Sequence, residues 1–543
     1  MLKVIARCFC SRLPIRGRSA ETIDEAVARF STTTHARKQK DTAVPVANAR
    51  QYNPQLNYRY IRDNASSIQK NCVNRNVTDL DVSQVAARYD QFVAADFELG
   101  ELRRKRNAVA AEMSKLVANI KQCGKNNSGG DKLLTQKKEL AEKGRDLKEQ
   151  VALQELLVEK IQIKLYEEAR HIPNDTHPNS PVGDESKATV LSTTNKPRPA
   201  TFPSGQPLRN HMDIAMLHDM VDFERAGKVT GSSFYYLRNM GAMLEMALTR
   251  YAMDRCIEEG FTPVITPDLI RHEVLEACGF NPRSEDPQTY YIAPNSPTNP
   301  LLAGPVTSRD PMQLCLTATA EFPLAAAHAN ETLPNAVLPL KDVASSHAFR
   351  AEGLAGAINR GLYRVHQFTK IEMFALASQD TSDAILNQMV EIQKRLYGNL
   401  GICFRELDMP THDLGAPAYK KIDLEAWMPG RQAWGEISSA SNCTDFQSRR
   451  LNIRYFPSAP SQQQGQSSSS SATPSSQTSS TEFVHTINGT ACAVPRLIIA
   501  LLETHQLENG DVAVPAPLQP YLWGVDIIRA GMSVRDMIKH KAS

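Results

Sequence analysis

The sequence predicts an α+β protein in which a long helical hairpin precedes a separate globular part. Three observations carry that prediction. Two heptad registers occupy residues 79–170, on either side of a glycine-rich break; a proline-rich stretch follows; and residues 363–374 alternate with the period of a strand. At 543 residues, with 41% hydrophobic and 22% charged side chains, the chain can bury a large core and fill more than one domain. No apolar run approaches the roughly 20 residues that cross a bilayer, so no membrane partner is expected.

The N-terminus is basic. Lys3, Arg7, Arg12, Arg16, Arg18, Arg29, Arg37, Lys38 and Lys40 face only Glu21, Asp24 and Glu25, so the formal charge of +3 hides a mildly acidic remainder. The first twenty residues hold basic, small and hydroxylated side chains without an acid, the composition of an organellar transit peptide; residues 1–45 are assigned to it, a disordered basic tail being the alternative. The ten cysteines are scattered without a C-x-x-C pair, which predicts neither a disulfide framework nor a zinc site and suits a reducing compartment.

The arm comes next, within a domain expected over 53–172. Leu99, Leu102, Val109, Met113, Leu116 and Ile120 fall on a 3,4 spacing with Arg106 in the one polar seat. After Gly124–Gly130 a second register runs through Leu133, Leu140, Leu147, Val151, Val158, Ile161 and Leu165. Such helices fold back as an antiparallel coiled coil, about 60 Å long for about 40 residues. A rod that thin cannot enclose a catalytic pocket. Its basic groups, among them Arg103, Arg104 and Arg106, suit a nucleic-acid or a protein partner equally, and interleaved acids such as Glu139 suit a solvated face.

Pro173, Pro178, Pro181, Pro197 and Pro199 predict an irregular linker over 173–205. A globular domain is expected over 206–540, interrupted by a disordered Ser/Gln-rich insertion at 457–481 whose ends must lie close together.

Within that domain, Phe349-Arg350-Ala351-Glu352, a loop through Gly353, Gly356 and Gly361, and the alternating segment Tyr363–Phe374 read as strand, loop and strand. Alternation puts Arg364, Phe368 and Glu372 on one face, and Arg350 with Glu352 on one face of the preceding strand. Guanidinium groups meet phosphate or carboxylate through paired hydrogen bonds, an aromatic ring stacks on a base, and a carboxylate takes an ammonium. By pattern alone, a surface hairpin with cross-strand ion pairs fits as well. Two further segments concentrate oxygen ligands and cations: Asp423–Trp427 with Glu436–Asn442, and Asn488–Arg496, where Pro495 suits a first helical turn leading into a helix over 497–507.

Taken in order, Gly260-Phe261-Thr262-Pro263 to Pro267, Thr319-Ala320-Glu321, the Arg350 hairpin through His366-Gln367-Phe368 to Glu372, the Glu436 to Ser439 segment and the Arg496 motif resemble the seryl-tRNA synthetases, more narrowly the mitochondrial type. The resemblance runs from Tyr58 to about Ile528. It implies a class II catalytic domain built on an antiparallel sheet flanked by helices, a homodimer joined near Gly260–Pro267, and a coiled coil that grips tRNA(Ser). It further implies ATP and L-serine as substrates, Mg²⁺ as cofactor, the mitochondrial matrix as compartment, and no DNA partner.

Position by position, the resemblance implies that Arg350 bridges the serine carboxylate and the ATP α-phosphate, Glu352 meets the adenine amino group, Phe368 stacks on adenine, and Arg496 covers its other face. Glu436 and Ser439 would hold Mg²⁺. Thr319 and Glu372 would hold the serine ammonium, with Glu372, Asn488 and Thr490 around the hydroxyl end and Glu321 also binding serine. Arg103, Arg104 and Arg106 would meet tRNA along the arm, and Arg360 and Arg364 its acceptor end. A catalytically silent paralogue would have lost some of Arg350, Glu352, Phe368, Glu372, Glu436 and Arg496; none is lost. The long N-terminal hairpin argues against a threonine- or proline-specific relative.

Overall fold

The computed structural model describes residues 52, 54–123, 130–280, 288–292, 313–351, 361–457 and 480–542. Residues 1–45, expected to be a transit peptide, the Ser/Gln-rich segment 458–479, Glu352 and Arg360 lie outside the described residues.

Two short helices, α1 (Tyr58–Asp63) and α2 (Ala65–Asn74), form the base of the arm, and Asn57 caps the first by accepting from Tyr60 N at 3.1 Å. The arm is α3 (Val82–Cys123) and α4 (Gly130–Ala169), 42 and 40 residues long. The predicted heptad seats form its seam: Leu99 packs with Val151 and Val158, and Val109 and Leu116 with Leu140 and Leu147. Polar seats are used as well, Gln154 Nε2 donating to Ala95 O at 2.9 Å across the seam. Leu165 and Ala169 close onto Cys72, Val82 and Val85 at the base.

The globular part is built on an eight-stranded sheet of β1 (Thr189–Thr194), β2 (Thr262–Val264), β3 (Leu340–Phe349), β4 (Gln367–Ala377), β5 (Phe404–Asp408), β6 (Lys420–Met428), β7 (Ala433–Asn442) and β8 (His485–Ala493), in spatial order β1-β5-β6-β7-β8-β4-β3-β2. Three expectations are corrected here. The sheet is mixed, because β2 runs parallel to β3 while every other neighbour is antiparallel. The proline-rich linker is not irregular throughout: Thr189–Thr194, β-branched and free of proline, is the edge strand beside β5. The second strand of the Arg350 hairpin begins at Gln367 rather than Tyr363, so Arg364 lies in the preceding turn and does not share a strand face with Phe368 and Glu372.

One face of the sheet is covered by α5 (Asn239–Glu258), α7 (Ser382–Asn399) and α9 (Val494–His505); Ile371, Met373, Leu424, Ile437, Ile487 and Cys492 meet residues such as Leu248, Met389 and Ile498 in the main core. On the other face, Phe374, Leu376 and Ala344 pack on α6 (Glu321–Ala327) and α8 (Phe446–Leu451), leaving the rest of that face polar. The hairpin is therefore no surface feature: Ile371 through Ala377 are fully buried.

Candidate active site

Two β-bulges decide which side chains reach the polar face. In β7 the register against β6 jumps from Ser438↔Leu424 to Glu436↔Glu425, which inserts Ile437. Glu436 and Ser439, three apart and on opposite faces of a regular strand, are thereby brought to the same one. In β8 the register against β4 jumps from Thr490↔Glu372 to Cys492↔Ile371, which turns Thr490 toward Glu372 and Cys492 into the helix-side core. The β7–β8 ladder ends at Ala440↔Gly489, and beyond it Gln393 of α7 donates its Nε2 to Ser439 O at 2.9 Å and Thr490 O at 3.1 Å.

A cavity of about 470 Å³ lies over this face, lined by Thr319, Glu321, Arg350, Lys370, Ser439 and Asn488 and walled by the segments 278–280 and 412–417. A second space, about 10 Å³, is lined by Arg350, Tyr363, Phe368 and Arg496 with Arg364 at its exposed rim. Arg350 is common to both. Its backbone N donates to His366 O at 2.9 Å just beyond β3, and its guanidinium carbon lies 5.4 Å from the Phe368 ring centroid.

Arg496 sits in the first turn of α9, behind Pro495, as the sequence predicts. Its Nη1 donates to Glu436 O and Glu436 Oε2, both at 3.0 Å, and the guanidinium lies 4.7 Å from the ring centroid of Tyr363. Gly435 makes room for that ring, because a β-carbon there would stand 3.0 Å from Tyr363 Cε2. Burial works to raise the Glu436 pKa, but Arg496 and Lys421 outweigh it and hold the carboxyl at about 2.

Two buried carboxylates, Glu321 in the lining of the larger cavity and Glu372 behind Lys370, keep different company. Glu372, 1% exposed, takes Lys370 Nζ on Oε2 at 2.5 Å and the Thr490 hydroxyl on the same oxygen at 3.3 Å. Glu321, the first residue of α6, takes the neutral amide Nε2 of Gln447 at 2.6 Å. Burial first, and the charge of Glu372 second, push the Glu321 carboxyl up to about 7. Thr319 accepts from Lys370 Nζ at 3.0 Å. On the arm, Arg103 pairs with Glu155 of the facing helix at 2.9 Å, Arg104 with Glu101 of its own helix, and Arg106 with Asn107 at 3.4 Å.

Residues 306–505 match the family described as tRNA synthetase class II core domain (G, H, P, S and T), and residues 56–176 match the seryl-tRNA synthetase N-terminal domain. The chain is 36% identical over 471 residues to the serine–tRNA ligase of Treponema denticola, covering 86% of this chain and 98% of that one. It is 38% identical over 468 residues to the mitochondrial serine–tRNA ligase of Schizosaccharomyces pombe, covering 86% and 88%. Among solved structures it resembles the seryl-tRNA synthetase of Pyrococcus horikoshii complexed with ATP, with a TM-score of 0.71 and 31% identity over 88% of this chain and all of that one. The chain belongs to the seryl-tRNA synthetase family. It is a class II aminoacyl-tRNA synthetase, a serine–tRNA ligase.

In this synthetase, Arg350, Phe368 and Arg496 line one space, and Thr319, Glu321, Arg350, Ser439 and Asn488 another. Arg103, Arg104 and Arg106 line neither and lie on the arm helix α3. Sequence reasoning assigned no role to Lys370, Gln447 or Tyr363. Lys370 was visible as a member of the Phe368–Glu372 face; Gln447 and Tyr363 carried no local signal, since each acts on a residue far away in sequence.

Proposed function

We propose that this synthetase activates L-serine with ATP to seryl-adenylate and transfers the seryl group to the 3′ end of tRNA(Ser). The observation that supports it most is Arg350, a single guanidinium lining both the space beside Phe368 and Arg496 and the cavity holding Thr319, Glu321 and Lys370. A cation at that junction can contact an α-phosphate on one side and an amino-acid carboxylate on the other, and it compensates charge as the carboxylate oxygen attacks phosphorus in line. The serine carboxylate forms the new P–O bond and pyrophosphate leaves with the electron pair of the broken one. The work of the protein is alignment.

Phe368 offers its ring to adenine. The space beside it, about 10 Å³, holds about one water, so adenine entry requires it to widen. Glu436 and Ser439, turned to one face by the β7 bulge, are oxygen donors too few to enclose a cation alone. Together with phosphate oxygens and water, they would hold Mg²⁺, a hard cation that prefers oxygen donors. When bound, Mg²⁺ neutralises phosphate charge. Glu372 takes the serine ammonium with Thr319 and Glu321 beside it, and Asn488 and Thr490 stand at the hydroxyl end. A site whose buried polar groups expect a hydroxyl rejects alanine, and bulk excludes threonine.

The arm grips tRNA backbone and shape through Arg103, Arg104 and Arg106, and Arg364 at the cavity rim meets the acceptor end. Exposed apolar residues on α5 and just past β2, Met246 at 65% and Ile265 at 94%, suit a homodimer interface. The basic composition of residues 1–45, together with a mitochondrial relative, supports import into the matrix. Among the described residues, no helix is long and apolar enough to cross a membrane.

The test is pyrophosphate exchange into ATP with serine, threonine and alanine side by side. Serine-dependent exchange, with the other two near background, is expected. No exchange by a folded protein, or faster exchange with threonine, would overturn the reading.

A further inference from the structure

Lys370 stands between two groups that come from different elements. It projects from β4 into the larger cavity, with its side chain 10% exposed, while Glu372, two residues on along the same face, is 1% exposed and lies behind it. Its Nζ reaches Glu372 Oε2 at 2.5 Å and Thr319 Oγ1 at 3.0 Å. Thr319 belongs to the turn that leads into α6, so the single ammonium ties that turn to strand β4. Three consequences follow from donor and acceptor counting.

The Lys370 and Thr490 contacts both fall on Oε2 of Glu372, and among the described residues no protein donor takes Oε1. Oε1 is the oxygen left for a ligand's ammonium or hydroxyl. Thr319 Oγ1 accepts from Lys370 Nζ and, at 3.4 Å, from Glu321 N, which uses both of its lone pairs and leaves its own proton to be donated. Finally, the cavity holds a second carboxylate, Glu321, whose partner is the neutral amide of Gln447, so the two acids are distinguished by Lys370 standing on one of them.

Resting on the reading of this cavity as the serine site, we propose that Lys370 is the positioning residue that sets serine affinity: it fixes the Glu372 carboxylate and the Thr319 hydroxyl at one separation and one polarity. Lys370 does not form or break a bond in the reaction. It decides how Glu372 and Thr319 are presented to an amino acid small enough to lie between them. A purely structural buried ion pair would hold the fold together and have no preference for one substrate over the other.

The test is steady-state pyrophosphate exchange by the full chain with Lys370→Met, Lys370→Arg and Thr319→Val, alone and with Lys370→Met combined with Thr319→Val. Lys370→Met is expected to raise the KM for serine at least about tenfold, leave the KM for ATP within about twofold, and change kcat far less than KM. Lys370→Arg, which keeps the charge, recovers part of the serine KM. The double variant is expected to be less than additive, because both changes cut the same bridge. Thermal unfolding and ATP binding, measured alongside, identify any variant that has lost its fold, and Thr319→Val, which buries no unpaired charge, carries the test in that event. A serine KM that stays constant or falls in Lys370→Met overturns the proposal, as does a parallel loss for both substrates. If the wild-type chain itself shows no serine-dependent exchange, it is the assignment of the cavity that fails, an outcome distinct from a wild type that exchanges and a Lys370→Met variant that matches it.

Discussion

The arm and the polar face of the sheet both carry ion pairs, and the pairs differ in almost everything but their chemistry. Arg103 and Glu155 meet at 2.9 Å across the coiled coil with half of each side chain in water, 50% and 47% exposed. Lys370 and Glu372 meet at 2.5 Å with 10% and 1% exposed. Water and salt screen the first pair, which is worth about 1 kcal/mol or less. Cutting one partner of the second strands a buried charge, at a cost of about 3–5 kcal/mol. Along the arm, an apolar seam supplies the shape and the charges lie in water. On the sheet, two bulges and a few buried donors place each charge individually.

The largest break in that comparison is expected from Arg350→Ala. Serine-dependent exchange should fall by about 10²–10³ or more, the scale of losing a charge-stabilising donor at a reacting centre, while tRNA affinity measured by filter binding stays near wild type. An equal loss of tRNA binding by a folded variant would show that the two regions are not separable.

Glu321 gives a pH-dependent effect of on the order of 3 kcal/mol. Its carboxyl, raised to about 7 by burial and by Glu372, binds a proton in the folded state at pH values where the unfolded chain has released it. Stability therefore falls as pH rises from about 5 through 7, and Glu321→Gln, which preserves the acceptor for Gln447, should flatten that slope in urea titrations. A slope unchanged by the substitution would place the titration elsewhere.

Leu116→Ala, in the seam, should cost about 2–3 kcal/mol locally, read as faster amide exchange along α3 and α4, with serine-dependent exchange of pyrophosphate unaltered. The smallest effect belongs to Arg103→Ala. Unfolding free energy should change by less than about 1 kcal/mol, and the logarithmic salt dependence of tRNA binding should weaken by about one phosphate contact. A drop of several kcal/mol there would erase the contrast between the arm and the sheet.

The arm was the most legible part of the chain, because a seam of period 3.5 depends on neighbours three and four residues away and leaves its record in the local sequence. Leu99, Val109, Leu116, Leu140 and Leu147 could be assigned before any coordinates. The sheet was legible only where alternation is regular, as in Phe368, Lys370 and Glu372. Alternation places Glu436 and Ser439 on opposite faces, and a bulge that no single residue announces brings them together. Family motifs supplied that pair where periodicity could not. The edge strand Thr189–Thr194 was hidden by the prolines around it, and the contact of Arg496 with Tyr363 by the distance between them in the chain.

Removing residues 85–165 and measuring pyrophosphate exchange and tRNA charging on the same preparation tests the division of labour most directly. The expected result is exchange within about fivefold of the full chain and charging reduced by about a hundredfold or more, since the proposed phosphate contacts of the arm are gone and the cavity residues are untouched. Exchange that falls in step with charging, in a preparation whose thermal unfolding remains cooperative, would contradict the account.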